Sequence, residues 1–308
     1  MEFIRGLYNI RARHRDCVAT IGNFDGVHLG HQAVIRQLHE VAAHCGLPAT
    51  VVIFEPQPQE FLAPERAPAR LMRMRDKITW LGRHDVKRVL CLRFDRTLAA
   101  WSAHKFVEEV LVAGLAIKHL IVGDDFRFGK NREGSYATLV ECAGRYGFQV
   151  DHTNTCMINE RRVSSTRVRE ALASGDMALA ARLLGRPFVI CGRVIHGDKR
   201  GRELGYPTIN LDLHRWRSPV AGIFVSRVHG LGTEVIPAVA SVGTRPMFAG
   251  TKVLLEAHLM DYAGDAYDAR VSVELLQRLR AEAVFTNTNE LKQQIERDIA
   301  MARQYFDK

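Results

Sequence analysis

An α/β domain followed by an antiparallel β-barrel with a C-terminal helix is the architecture that this 308-residue chain predicts. Three observations carry it. Short apolar runs alternate with helical patterns up to residue 185, which is how a parallel sheet covered on both faces reads. From Phe188 onward strand-like runs follow one another, with turns between them and no helix until about Glu290. Between these textures the helical stretch Met177 to Leu184 stops at Gly185, and Arg186-Pro187 is the joint, giving domains at 1–185 and 186–308.

In the first domain the apolar runs Cys17 to Ile21, Ala49 to Phe54, Arg88 to Phe94 and His119 to Gly123 read as strands. Two helices stand out between them. His31 to His44 places Val34, Ile35, Leu38, Val41 and Ala42 on one face, and Ser102 to Ala113 opens on Ser102 as an N-cap. In the second domain the runs are Phe188 to Ile195, Thr208 to Leu213, Ile223 to Val228, Glu234 to Val242, Val253 to Met260 and Val271 to Leu275.

With 47% apolar and 25% charged residues, the chain can build a core in each domain. The six cysteines are scattered without C-x-x-C pairs or metal-ligand spacing, so reduced, mostly buried thiols and a cytoplasmic location are expected. Residues 1–9 lack an apolar leader core, and no run reaches the roughly 18 apolar residues of a membrane span, so a soluble, unprocessed chain with no membrane partner is expected. The net charge of +9 is spread along the chain, with 26 Lys and Arg against 20 Asp and Glu before residue 186 and 17 against 14 after it. Its densest run, Arg66, Arg70, Arg73, Arg75 and Lys77, has mostly helical spacing and no interleaved aromatic residues. A solvated helix face is the expectation there, and no nucleic-acid partner. Oligomeric state is left open.

The chemistry begins after the first predicted strand, at Thr20-Ile21-Gly22-Asn23-Phe24-Asp25-Gly26-Val27-His28-Leu29-Gly30-His31. Gly22, Gly26 and Gly30 permit close backbone approach, the following helix offers unpaired N–H groups, and His28 and His31 add donors for phosphate oxygens. The pattern is neither G-x-x-x-x-G-K-[ST] nor G-x-G-x-x-G. Further on, Ser164, Ser165 and Thr166 open another helix, with Arg167 and Arg169 supplying charge. This is a plain capping cluster or a second anion site.

Together these residues resemble the bifunctional riboflavin kinase/FMN adenylyltransferases, the bacterial FAD synthetases. The H-x-G-H element is shared with the wider nucleotidylyltransferase superfamily, which implies a Rossmann-like parallel sheet. Phe54-Glu55-Pro56-Gln57-Pro58 and Val122-Gly123-Asp124-Asp125-Phe126-Arg127-Phe128-Gly129 look like the family's flavin and ATP contact loops, and Ser164 to Arg169 is similar to its second phosphate motif. The resemblance implies His28 and His31 as catalytic. It implies Gly22, Phe24, Gly30, Asp125, Ser164, Ser165, Thr166 and Arg169 for ATP, and Phe54, Pro56, Pro58 and Phe128 for flavin. Read without the family, the Phe54, Phe126 and Phe128 rings are equally core. FMN's phosphate has a second pKa of about 6, so as a nucleophile it needs no general base, and catalysis reduces to positioning and charge stabilisation.

The second glycine-rich basic loop, Gly192 to Leu211, joins two strands and can wrap phosphates as a backbone nest, or be an ordinary basic hairpin. It resembles the riboflavin kinase signature, which implies Gly197, Arg202, Gly205, Pro207, Thr208 and Asn210 as its ATP site, with Mg2+ on Thr208 and Asn210. The nucleophile of this half is a neutral ribityl hydroxyl, for which a base is chemically expected. Glu256 is the candidate. Along Val253 to Leu259 it projects with His258 from the face opposite Val253, Leu255, Ala257 and Leu259, which is also what a solvated outer face looks like. Where the family usually has glycine, asparagine and threonine, this chain has Ala238, Ser241 and Met247, and Asp268 stands where a glycine is common after Tyr267.

The expectation is FAD synthesis from riboflavin in two ATP-dependent steps, with riboflavin, FMN and FAD as substrates and products. The alternatives are an adenylyltransferase whose degenerate kinase half only binds flavin, and a non-catalytic flavin- or nucleic-acid-binding regulator.

Overall fold

The structure is a computed structural model. It describes residues 1–123, 125–153, 155–197, 201, 204–213, 217–247 and 250–307, with the backbone alone at 244–247 and 250–252. The chain forms two compact units, Met1–Pro68 with Met72–Ser164, and Ala69–Leu71 with Ser165–Lys308.

The first unit is built on β1 (Glu2–Arg5), β2 (Val18–Ile21), β3 (Ala49–Glu55), β4 (Arg88–Arg93), β5 (His119–Gly123) and β6 (Gln149–Thr153), all parallel in the order β1-β4-β3-β2-β5-β6. Alternate residues serve opposite faces. Val18, Val51, Ile53, Val89 and Ile121 pack against Ile35, Leu38 and Ala42 of helix α1 (Leu29–Cys45), which ends at the left-handed Gly46. Ala19, Ile21, Val52, Leu90, Leu92, Leu120 and Val122 pack on the other face against Phe106, Val107, Val110, Leu111, Leu139 and Cys142. These come from the helical segment Ala103–Phe106, continued by a wider coil over Val107–Gly114, and from the helix Tyr136–Tyr146. The widening shows as Leu115 N–H donating back to the Val110 carbonyl, five residues away, at 2.9 Å. A short hairpin, β7 (Met157–Ile158) with β8 (Arg161–Arg162), precedes Ser164.

This topology positions a site. From β2 the chain crosses through α1 to β3 on one side, then returns to lay β5 on the other side of β2. The loops after β2 and β5 therefore diverge to opposite faces, and a crevice opens at the carboxyl ends of the two strands.

One expectation is corrected here. The basic run 66–77 is not a solvated helix face: Arg66 closes a separate short turn, Arg73 caps the helix Met74–Arg83, and Lys77 has no exposed surface. Lys77 lies on the side of its helix that packs toward β4, within electrostatic range of Cys91. Helical spacing alone does not say which face a neighbouring sheet will cover. Likewise only Cys17, Cys91 and Cys142 of the six free cysteines are buried, and Cys45 is exposed.

The second unit starts with the helices Ser165–Ser174 and Met177–Leu184, the latter ended by the left-handed Gly185. The strands β9 (Phe188–Ile195), β10 (Thr208–Asp212), β11 (Gly222–His229), β12 (Ile236–Met247), β13 (Gly250–Leu259) and β14 (Arg270–Arg280) close an antiparallel barrel in the order β10-β13-β12-β11-β14-β9. Its interior holds Ile190, Val194, Leu211, Phe224, Ala240, Val242, Leu255, Ala257 and Val273, at every second position of their strands. The helix Thr288–Phe306, capped by Asn287, lays Ile299, Ala302, Tyr305 and Phe306 over Val225, Val239 and Met260 on the barrel's outside.

Candidate active sites

The loop after β2 is held in a strained shape. Phe24, Gly26 and Val27 have φ of 47°, 91° and 42°, a left-handed path that a β-branched valine adopts only when packing imposes it. Phe24 and Val27 are buried, and Gln32 Nε2 donates to the Val27 carbonyl at 2.9 Å. Asp25, also buried, accepts the Met72 N–H on Oδ1 at 3.2 Å. The side chain of Phe24 is thus a core element, which leaves only its main chain for the expected nucleotide contact.

His28 is the N-cap of α1. Its Nδ1 accepts the His31 N–H at 3.3 Å, so the neutral ring carries its proton on Nε2. The His31 ring stacks on it, with centroids 3.6 Å apart and planes 18° apart, and is tilted toward Phe24 at 5.0 Å. Two imidazoles are thereby brought together at a helix N-terminus, the end whose dipole favours anions. Gly30 is tightly packed: a Cβ there would stand 3.1 Å from the His28 ring and 3.1 Å from the Val163 carbonyl, so a neighbour would have to give by a few tenths of an ångström. The residue before Ser164 therefore abuts the H-x-G-H turn, and Ser164 and the two histidines lie on the same side of their unit.

Across the crevice, Arg162 of β8 donates to Asp125 Oδ1 at 2.7 Å, latching the loop after β5 onto the β7–β8 hairpin. Phe128 is buried, stacked under Phe126 with centroids 5.4 Å apart and tilted against Phe106 at 5.7 Å. Phe54, half-buried, meets Phe94 edge-on at 6.0 Å, and Phe94 meets Phe61 at 5.8 Å. Pro56 is half-buried, and Pro58 opens the short helix Pro58–Leu62. The aromatic group is thus layered, with Phe128 beneath and Phe54 and Phe126 partly exposed above. In the second unit, Ser165 begins its helix, Thr166 is exposed, Arg167 is buried and Arg169 Nε donates to the Ala69 carbonyl at 2.6 Å.

The barrel carries the second constellation on its outer face. In the β10–β13 register Asn210 lies opposite Glu256 and Thr208 opposite His258, and in the β12–β13 register Ser241 lies on the other side of Glu256. Asn210, Glu256 and Ser241 form a row across three strands. The loop before β10 is pressed onto this row. A Cβ on Gly197 would fall within 2.6 Å of Asn210 Cγ, and one on Gly201 would fall 2.5 Å from the Tyr206 carbonyl and 3.3 Å from Thr208 Oγ1. Gly205 has φ of 91° and Pro207 is exposed. Arg202 lies outside the described residues.

The FAD synthetase family matches residues 10–167, and the riboflavin kinase family matches residues 184–306. The bifunctional riboflavin kinase/FMN adenylyltransferase of Escherichia coli K12 is 48% identical over 99% of this chain and 98% of its own length. This chain belongs to that family. The proteins of the same description from Pseudomonas fluorescens and Haemophilus influenzae are 50% and 45% identical, covering 98% and 100% of this chain and 97% and 100% of their own. A crystal structure described as that of a macrolide-efflux protein from Streptococcus pneumoniae aligns with a TM-score of 0.84 and 28% identity, over 98% of this chain and 99% of that one. Among the described residues of this chain, no helix is long and apolar enough to cross a membrane.

For this bifunctional riboflavin kinase/FMN adenylyltransferase family member, the departures from the usual pattern find physical places. Ala238 points into the barrel, wholly buried, where its methyl takes core volume. Asp268 has φ of 59°, a left-handed position where glycine is favoured and aspartate is tolerated. Met247 has only its backbone described. Local pattern does not mark Asp25 or Arg162: Asp25 lies within the glycine-rich turn after β2, but only the fold shows that its carboxylate holds Met72.

Proposed function

We propose that the crevice at the β2/β5 switch point transfers AMP from ATP to FMN, and that the outer face of the barrel phosphorylates riboflavin. The protein catalyses two successive steps of FAD biosynthesis: riboflavin and ATP give FMN and ADP, and FMN and ATP give FAD and pyrophosphate. The observation that carries the division of labour is that each unit sets its own phosphate-wrapping glycine turn against its own reactive side chains: Gly30 against His28, and Gly197 against Asn210, the neighbour of Glu256.

In the first unit, Gly22, Gly30 and the α1 N-terminus cradle the ATP phosphates. His28 and His31 donate to the oxygens on which charge grows as pyrophosphate leaves. Asp125 and Ser164 of the same unit complete the nucleotide contacts. The flavin lies on Phe54, Pro56 and Pro58, with Phe128 supporting that surface from below. The phosphate oxygen of FMN attacks the α-phosphorus without a base.

In the barrel, Glu256 accepts the proton of the ribityl hydroxyl as its oxygen attacks the γ-phosphorus of ATP. Gly197, Arg202, Gly205, Pro207, Thr208 and Asn210 hold the nucleotide. The Thr208 hydroxyl and the Asn210 amide oxygen are hard oxygen donors beside the loop glycines Gly197 and Gly201, a donor set that fits magnesium, whose role would be to neutralise phosphate charge. The proposed functional domains run over 1–185 and 186–308, while the helices between Ser165 and Leu184 group with the second compact unit, and the free cysteines support a cytoplasmic setting. Family membership over the full length does not favour a degenerate kinase half.

The test supplies purified protein with Mg-ATP and either riboflavin or FMN, and separates the products by chromatography. His28→Ala combined with His31→Ala is expected to stop FAD formation and leave FMN formation, and Glu256→Ala to do the reverse. Loss of both activities in either folded variant would falsify the division.

A further inference from the structure

The strand that carries Glu256 also carries His258 on the same outer face, two residues on, in register with Thr208. His258 Nδ1 lies 3.0 Å from the Pro207 carbonyl oxygen. A carbonyl only accepts, so Nδ1 bears the proton and the tautomer is set. The ring also stands edge-on to Tyr206, with centroids 5.7 Å apart and planes 84° apart. Tyr206 is anchored at both ends: its N–H donates to the Gly201 carbonyl at 2.7 Å, and its hydroxyl donates to Glu296 on the helix Thr288–Phe306 at 2.9 Å.

The geometry points to His258 as a positioning residue of the kinase half, an inference that rests on the nucleotide site proposed above. Pro207 has no N–H, and its φ is restricted by its ring, so the carbonyl is the handle by which its peptide can be turned. That carbonyl shares one rigid plane with the Thr208 N–H. A hydrogen bond from His258 therefore orients the start of β10 and aims Thr208 at the nucleotide. Tyr206 and Glu296 brace the same turn from the C-terminal helix. His258 touches no reacting atom, so its removal weakens ATP binding more than turnover, whereas loss of the base Glu256 acts on turnover.

Riboflavin phosphorylation is measured at varied ATP for the full-length protein and for His258→Ala, His258→Asn and Tyr206→Phe, with FMN adenylylation and thermal melting read on each preparation. His258→Ala is expected to raise KM for ATP about 10-fold, with kcat changed less than about 3-fold, as loss of one intramolecular hydrogen bond predicts. His258→Asn keeps an N–H donor near the position of Nδ1 and should restore most of the affinity. Tyr206→Phe keeps the ring, loses the anchor, and should raise KM by about 3-fold. An unmoved KM in folded His258→Ala, or His258→Asn no better than alanine, overturns the inference. If the alanine variant loses its folded barrel, Tyr206→Phe decides alone, and an unchanged KM rejects the brace. A wild-type protein that makes no FMN from riboflavin would instead sink the kinase reading itself, an outcome read before any variant is compared.

Discussion

The ring of His28 lies under that of His31, 3.6 Å between centroids, and its Nδ1 accepts the His31 N–H, so one histidine both caps α1 and presents the other. The structural role and the proposed chemical role meet in a single side chain here, and they can be separated. Asparagine is among the best N-cap residues and cannot supply the imidazole Nε2–H. His28→Asn is therefore expected to melt within about 2 °C of wild type while losing FMN adenylylation at least 100-fold. His28→Ala should lose the activity and also about 1 kcal/mol of stability. Parallel melting curves and product chromatography check both.

Gly30 and Gly197 make a matched pair of tests. Alanine at Gly30 must displace either the His28 ring or the Val163 carbonyl, and alanine at Gly197 must displace the Asn210 amide. Gly30→Ala should reduce FAD formation from FMN by more than 10-fold with FMN formation intact, and Gly197→Ala should show the opposite pattern. Equal damage to both activities in either protein would argue against independent sites.

Acid stability has a local component at the sheet edge. Hydrogen bonds from His14 and then Arg13 hold the Glu2 carboxyl down to about 2, from an ordinary 4.5. The folded state thus binds this proton less tightly than the unfolded chain does, so the pairing adds stability above about pH 4.5 and loses it as pH falls toward 2. Glu2→Gln should melt lower than wild type at pH 7, and the two curves should converge across that acid window.

Thiol reactivity should follow burial. Cys17 is pushed up to about 11 by burial, and burial also raises Cys91 and Cys142, so few of these thiols ionise at neutral pH. A thiol reagent at pH 8 is expected to label exposed Cys45 first, and these three only after unfolding, as mass mapping of the labelled peptides would show.

Much of the fold was legible because its strands are apolar runs of the right length. His119–Gly123, Phe188–Ile195 and the helix Met177–Leu184 match the expected limits, and the other expected strands shift by a few residues. The strands β1 and β6 were not legible. Both are sheet edges, and Glu2–Arg5 and Gln149–Thr153 mix charge with apolar residues because one side of an edge strand faces water. The basic run at 66–77 misled for a related reason, since spacing reports periodicity and not which charge a neighbouring sheet will bury.

The residues by themselves determined the two architectures and which glycine-rich turns and polar side chains could carry the proposed sites, because periodicity and side-chain chemistry are local properties. Tertiary structure alone decided that Val163 abuts Gly30 and that Asn210 stands opposite Glu256. It also decided that His258 holds Pro207 and that Lys77 is buried. These are pairings between segments far apart in the chain, set by strand register and sheet order, which no local pattern encodes.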